Sequence, residues 1–201
     1  MMTVSMEGYS VINLQRLQQV QPSLGYFSEQ FCFPEKRTFH PKYVEAVIDD
    51  DHPAYAEVQH YRQRVEAYTL DEMKACYSDT FDFNKTAPLY MTYHRFDTQK
   101  ERGQMLAKLK VLYEMFGLAM PDNELSDFLP LMLEFLYAMN YKDEPETLEN
   151  ILRVIMIIED GTYAMQQDLE DKDSPYAPLV RGLRKTLKVC IETPEEVTVH
   201  V

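Results

Sequence analysis

Residues 128–139 read FLPLMLEFLYAM and residues 148–158 read LENILRVIMII. The first stretch is apolar nearly all round, and a helix of that kind belongs at the centre of a bundle, covered by other helices. In the second, Ile155 to Ile158 taken alone fits a short buried strand as well as a helix. The set Leu148, Ile151, Leu152 and Ile155 recurs at i, i+3, i+4 and i+7, and with Pro145 near the start it decides for helix.

Outward from these two segments, helix signals recur and strand signals hardly appear. Thr69-Leu70-Asp71-Glu72 and Thr98-Gln99-Lys100-Glu101 both have the T-x-x-E form of a capping box. The second precedes Met105, Leu106, Leu109, Leu112, Tyr113 and Phe116 on one helical face, and Gly117 offers a left-handed stop. Ser174-Pro175 reads as a cap and first turn, followed by Tyr176, Leu179, Val180, Leu183, Leu187 and Cys190 on one side. A helix from Pro53 to Tyr68 turns Tyr55, Val58, Tyr61, Val65 and Tyr68 inward. Residues 5–20 and 41–49 are weaker helix candidates. Phe81 to Ala87 breaks the regularity, and 171–174 is a polar connection. The expectation is an all-α, single-domain helical bundle of about eight to ten helices over residues 1–191, with 192–201 a flexible acidic tail.

Composition narrows the function. Of 201 residues, 45% are hydrophobic, which is ample for a core, and only 6 are glycine, too few for glycine-rich phosphate loops or turn-dense β folds. The net charge of −13 repels phosphate backbones, so no nucleic-acid partner is expected. Cys32, Cys76 and Cys190 form no CxxC pair and suit a reducing compartment. With no secretory signal pattern and no apolar run of the roughly 18 residues needed to cross a bilayer, the expectation is a cytoplasmic protein without stable membrane insertion.

Catalytic motifs are missing: there is no HExxH, no G-x-S-x-G elbow, no Walker loop and no G-x-G-x-x-G. Glu57-Val58-Gln59-His60 is half of a di-iron E-x-x-H pattern, but no other histidine has a glutamate three residues before it. The pair is expected on a solvated face. Cys76, among Tyr68, Tyr77 and Phe81, reads as a small buried hydrophobe. No enzyme activity, metal or cofactor is expected. There are 12 methionines; Met105, Met115, Met132, Met139 and Met156 read mostly as core filler, although Met-rich surfaces also accept variable apolar peptides.

Several segments resemble the NarJ-type assembly chaperones of respiratory nitrate reductase, part of the wider redox-enzyme maturation chaperone family that includes TorD and DmsD. Leu70-Asp71-Glu72-Met73-Lys74-Ala75-Cys76-Tyr77-Ser78-Asp79-Thr80-Phe81-Asp82 is similar to an "L…YSELFD" segment. Arg102-Gly103-Gln104 matches an "RGQ" that opens a helix ending in "YE..GL", here Tyr113 to Leu118. Glu124 to Pro130 and Leu133 to Leu136 resemble "ELPDHLP…LEFL", and Ser174 to Leu179 resembles "S.YA.L". The matches fall in the same order at similar spacing. Where the wider family shows Pro-Asp-His, this chain has Ser126-Asp127-Phe128.

The resemblance implies an all-helical cytoplasmic chaperone for nitrate reductase assembly that binds the N-terminal peptide of the catalytic alpha subunit. It would hold the apoenzyme for molybdenum cofactor insertion and membrane assembly. The molybdenum cofactor insertion proteins are a further candidate partner, and a dimethyl sulfoxide or trimethylamine N-oxide reductase is the alternative client. On this basis Tyr77, Phe81 and Tyr90 are the expected apolar contacts, with Phe128 beside them. Glu124 and Asp127 are the expected acidic partners for peptide cations, and Asp127 has a second reading as the cap of the helix that Phe128 opens. Arg102 is expected to pin a loop through a nearby acid or to touch the partner. His94 sits by the same irregular stretch, as a surface histidine or a pH sensor.

Overall fold

Helix α6 (Leu129–Ala138) buries Leu129, Pro130, Met132, Leu133, Phe135 and Leu136, so other elements have to wrap it. In the computed structural model, which describes residues 11–35, 41–140 and 144–192, its main cover is α1 (Leu14–Gln30), running antiparallel to it. Near one end of the pair the Ser28 hydroxyl donates to the Pro130 carbonyl at 2.8 Å. At the other, the Gln21 amide nitrogen converges on the last carbonyls of α6, 2.8 Å from that of Tyr137 and 2.9 Å from that of Met139. Helix C-termini leave such carbonyls without partners inside the helix, and here another helix's side chain meets them.

The remaining helices complete a mostly helical bundle: α2 (Pro41–Val47), α3 (Tyr55–Glu66), α4 (Leu70–Tyr77), α5 (Gln99–Met115), α7 (Pro145–Asp171) and α8 (Ala177–Lys188). Helix α8 packs on both α3 and α7. The expected inner face of α8, with Leu179, Val180, Leu183, Leu187 and Cys190, is fully buried. The capping box at Thr69 forms in both directions. At Thr98 the hydroxyl accepts from the Glu101 N–H at 3.2 Å. Gly117 takes the left-handed conformation (φ 79°), and Leu118 N–H closes back on the Tyr113 carbonyl at 3.0 Å. Helix α7 ends the same way without a glycine. Asp173 adopts φ 49°, the Ser174 N–H reaches the Leu169 carbonyl, and Arg64 braces Asp173 through both its carboxylate and its carbonyl. Aspartate tolerates this region better than most non-glycine residues.

Several expectations shift. The first helix runs from Leu14 to Gln30 instead of 5–20, and residues 5–10 of that expectation lie outside the described residues. Before it, Val11–Ile12 (β1) pairs antiparallel with Ile191–Glu192 (β2), so Glu192 belongs to a strand; residues 193–201 of the expected tail lie outside the described residues. Helix α8 begins at Ala177, after a turn in which Ser174 accepts from the Tyr176 N–H. Met132 and Met139 are core, but Met115 and Met156 are 66% and 40% exposed, because each falls on the outer side of its helix. Glu57 has neither His60 nor a carboxylate as its partner: it binds Arg181 at 3.0 Å and Lys185 at 2.7 Å, clamping α3 to α8.

Gln21→Ala strips the end of α6 of its donor, and denaturant unfolding should show a loss of about 1–2 kcal/mol with an unchanged slope. The Glu57 carboxyl is a source of acid sensitivity. Its burial opposes ionisation, but hydrogen bonds and charge from Lys185 and Arg181 prevail and hold its pKa below the usual glutamate value. A carboxyl with a depressed folded pKa adds stability above its unfolded pKa and loses it as pH falls through the folded one. Acid titration of stability should therefore be shallower in Glu57→Gln than in the parent below the ordinary glutamate range.

Candidate functional site

The C-terminal end of α4 does not stop at Tyr77 but widens into a π-helical turn, Ser78–Asp82. Single π turns inside helices often mark functional positions, because the extra residue re-aims the side chains that follow. Here the widened turn brings Tyr77 and Phe81 together at 5.1 Å between ring centroids. Phe31 lies 6.1 Å from Phe81, and Tyr176 lies 4.9 Å from it on the α8 side. The Tyr77 hydroxyl donates to the Phe31 carbonyl at 3.1 Å. Tyr77 and Phe81 are each 4% exposed, so they form the floor of the aromatic cluster instead of its contact surface.

Two further aromatics, which the sequence did not single out, are exposed. Phe33 stacks edge-on against Tyr77 at 5.4 Å and is 46% exposed, while Phe83 is 80% exposed. The cue was present in Phe31-Cys32-Phe33 and Phe81-Asp82-Phe83, where two aromatics flank one residue and break helical period.

Residues 83–98 leave the π turn and run beside α7. Asn84 donates to Asp168 at 2.7 Å, Met91 lies against Gly161, and Arg95 pairs with Asp160. Within this segment Tyr90 forms an antiparallel bridge with Phe128. The Met91 N–H donates to the Asp127 carbonyl at 2.9 Å, and the Leu129 N–H donates to the Leu89 carbonyl at 2.7 Å. The bridge sets the Tyr90 and Phe128 rings 5.5 Å apart, both half-buried. Ser126 and Phe128, standing where the wider family has proline and histidine, are both used. The Ser126 hydroxyl donates to the Leu106 carbonyl on α5 at 2.7 Å, and Phe128 supplies the ring beside Tyr90.

Asp127 departs from expectation. It has no exposed surface, and the cation it meets is the chain's own Arg102, at 3.2 Å. The same oxygen, Oδ2, accepts from the N–H and hydroxyl of Thr92, while Oδ1 has no partner. Nor does Asp127 cap α6: Phe128 occupies the cap position, and no side chain bonds the first turn. Arg102 does pin a loop, stacking on Tyr93 at 5.6 Å on its way to Asp127. His94 donates to or accepts from nothing on the aromatic face. Its Nε2 meets the Lys85 carbonyl at 2.8 Å, and its ring packs edge-on with Tyr93.

Carboxylates lie near two of these tyrosines. Burial and the neighbouring charge and hydrogen bond of Glu124 push the Tyr90 phenol above its ordinary value, with Asp127 and Asp82 adding to it. Burial likewise raises Tyr77, and Asp82 contributes there too, so Asp82 lies within electrostatic reach of both tyrosines. Burial raises the Cys32 thiol as well, with help from Glu134, Glu29 and Glu35. Of the expected residues, Tyr77 packs on Phe81, and Tyr90 packs on Phe128 with Glu124 as its neighbour. Arg102 and Asp127 pair with each other beside them, and His94 meets the Lys85 carbonyl.

Among its described residues the chain is a mostly helical protein with clustered aromatic side chains and carboxylates near two of its tyrosines. A family model, that of the nitrate reductase delta subunit, matches residues 48–181, from the start of the α3 region into α8. The chain belongs to this family. It is 33% identical over 129 residues to the probable nitrate reductase molybdenum cofactor assembly chaperone NarJ of Bacillus subtilis (strain 168), covering 64% of this chain and 66% of that protein. It is 29% identical over 127 residues to the nitrate reductase molybdenum cofactor assembly chaperone NarJ of Escherichia coli (strain K12), covering 62% and 51%. With the probable chaperone NarW of the same strain it shares 30% over 113 residues, covering 56% and 48%. The matches thus span between about half and two thirds of these relatives.

The contact between Met91 and α7 gives a direct check on how the Tyr90 segment is held. A Cβ on Gly161 would lie 2.7 Å from the Met91 carbonyl oxygen, which is backbone and cannot rotate away. Gly161→Ala should destabilise the fold by about 1–3 kcal/mol and speed amide exchange around residues 89–92.

Proposed function

We propose that this protein is a chaperone for nitrate reductase assembly that binds the N-terminal segment of the catalytic subunit on the Phe33–Phe83–Tyr90–Phe128 face. The observation that supports this reading is the pairing of exposed Phe33 with Tyr77 and of half-buried Tyr90 with Phe128, with the carboxylates Asp82 and Glu124 near the two tyrosines. An amphipathic basic segment would lay its apolar side on Phe33, Phe83 and the Tyr90–Phe128 pair, while Asp82, Glu124, Glu29 and Glu35 meet its arginines or lysines. The net charge of −13 favours encounter with such a segment and sets its orientation. A few buried aromatic anchors can supply most of the affinity in an interface of this kind.

Family membership and the names of the relatives support nitrate reductase over another molybdoenzyme as the client. On this reading the protein performs no reaction. It acts by occupancy, keeping the apoenzyme from membrane assembly until molybdenum cofactor insertion is complete, and it leaves when the client matures. No helix among the described residues is long and apolar enough to cross a membrane, which fits a role in holding the client before it reaches one.

A synthetic peptide of the first ~20 residues of a nitrate reductase catalytic subunit, long enough for a helix of about 30 Å, is the direct probe. It should bind in calorimetry at low salt, and raising ionic strength from about 0.05 to 0.3 M should weaken it severalfold. Asp82→Asn with Glu124→Gln should reduce both affinity and salt dependence, and Phe83→Ala should reduce affinity alone. Absence of heat and of amide shift changes at low salt would overturn the reading.

A further inference from the structure

We infer that Thr92 is a positioning residue for this face: by tying Asp127 and Arg102 into one buried knot, it fixes how the Tyr90 and Phe128 rings are presented to a peptide. The inference rests on the peptide-binding reading above. Thr92 is completely buried, and its hydroxyl uses both of its capacities. It donates to Asp127 Oδ2 and accepts from the Arg102 Nε–H at 3.2 Å. The Thr92 N–H reaches the same Asp127 oxygen at 3.1 Å, and an Arg102 Nη2 hydrogen closes the ring at 3.2 Å.

All three donors fall on Oδ2 and none on Oδ1, so the carboxylate is gripped at one oxygen only. Two donors from a single residue restrain its rotation more tightly than the guanidinium alone. Asp127 is bonded directly to Phe128, and Thr92 stands two residues after Tyr90. The backbone bonds Met91 to Asp127 and Leu129 to Leu89 bracket the ring pair. A slip in the knot therefore passes to the two rings through one or two residues of chain. Loops that carry binding side chains lose affinity through small misplacements, and buried side-chain bonds of this kind are how they are held.

Thr92 also separates positioning from stability. Removing Arg102 or Asp127 strands a buried charge, which is expected to unfold much of the segment. Removing only the Thr92 hydroxyl leaves Arg102 and Asp127 paired with each other. The test uses the full chain in four forms: parent, Thr92→Val, Thr92→Ser and Gln21→Ala, the last being destabilised at the α1–α6 corner and away from the knot. Titration with the same synthetic peptide should give a Kd about tenfold weaker for Thr92→Val and within about twofold of the parent for Thr92→Ser and Gln21→Ala.

Equal affinity for parent and Thr92→Val would overturn the inference. So would equal weakening by Gln21→Ala, which would make the effect one of general stability. Failure of the parent to bind would instead remove the peptide reading. The knot is then judged in the free protein by aromatic carbon–proton spectra. The Tyr90 and Phe128 ring signals should move in Thr92→Val and return in Thr92→Ser, and unmoved rings would end the proposal.

Discussion

Of the ten residues of α6, only Glu134, Tyr137 and Ala138 are openly exposed to solvent, and the rest of the fold is arranged to satisfy that constraint. Helix α1 runs antiparallel along it, and at the end of α5 Tyr113 packs tilted and Phe116 edge-on against Phe135. The N-terminal end of α6 is fixed by the same bridge that sets Phe128 beside Tyr90. The candidate Tyr90–Phe128 pair is therefore built on the entry to a well-covered helix. That is a rigid place to mount binding side chains that otherwise sit on irregular chain.

The cost of this arrangement is concentrated at Asp127. Burying a carboxylate with only one oxygen satisfied is unfavourable compared with an apolar core, and the ion pair with Arg102 offsets this only in part. Such a group is a weak argument for stability. It is a stronger argument for specificity of structure, because the segment from Leu89 to Thr92 has little regular secondary structure of its own to hold it. Arg95 with Asp160 and Asn84 with Asp168 then tie the chain on either side of it to α7, the first contact being exposed to water, which weakens it, and the second part-buried.

Much of the fold was legible because it is periodic. Val58, Tyr61 and Val65 on α3, and Leu179, Leu183 and Leu187 on α8, announce their inner faces by spacing alone, and Thr69, Thr98 and Gly117 mark ends by capping chemistry. What escaped has no period. The β1–β2 ribbon is two residues per strand, and Asp173 ends α7 in a conformation that sequence patterns assign to glycine. Met115 and Met156 show the limit of composition, since the same residue type fills cores and coats surfaces. The site was legible only in part for a related reason. Aromatic residues near Tyr77 and Phe128 pointed to the right region, but an exposed acid and a buried one are the same letter. Nothing local distinguishes Asp127 from Glu124, because the partner that buries Asp127 is Thr92, 35 positions away.

Asn13 has a part at both ends of the described chain. Its side-chain oxygen accepts from the Arg16 N–H at the start of α1, its amide donates to Glu192, and its backbone N–H donates to the Cys190 carbonyl at 2.9 Å. Val11 and Glu192 thus stand opposite each other on one ribbon. A short covalent link between these two strands would close its loop at little entropic cost.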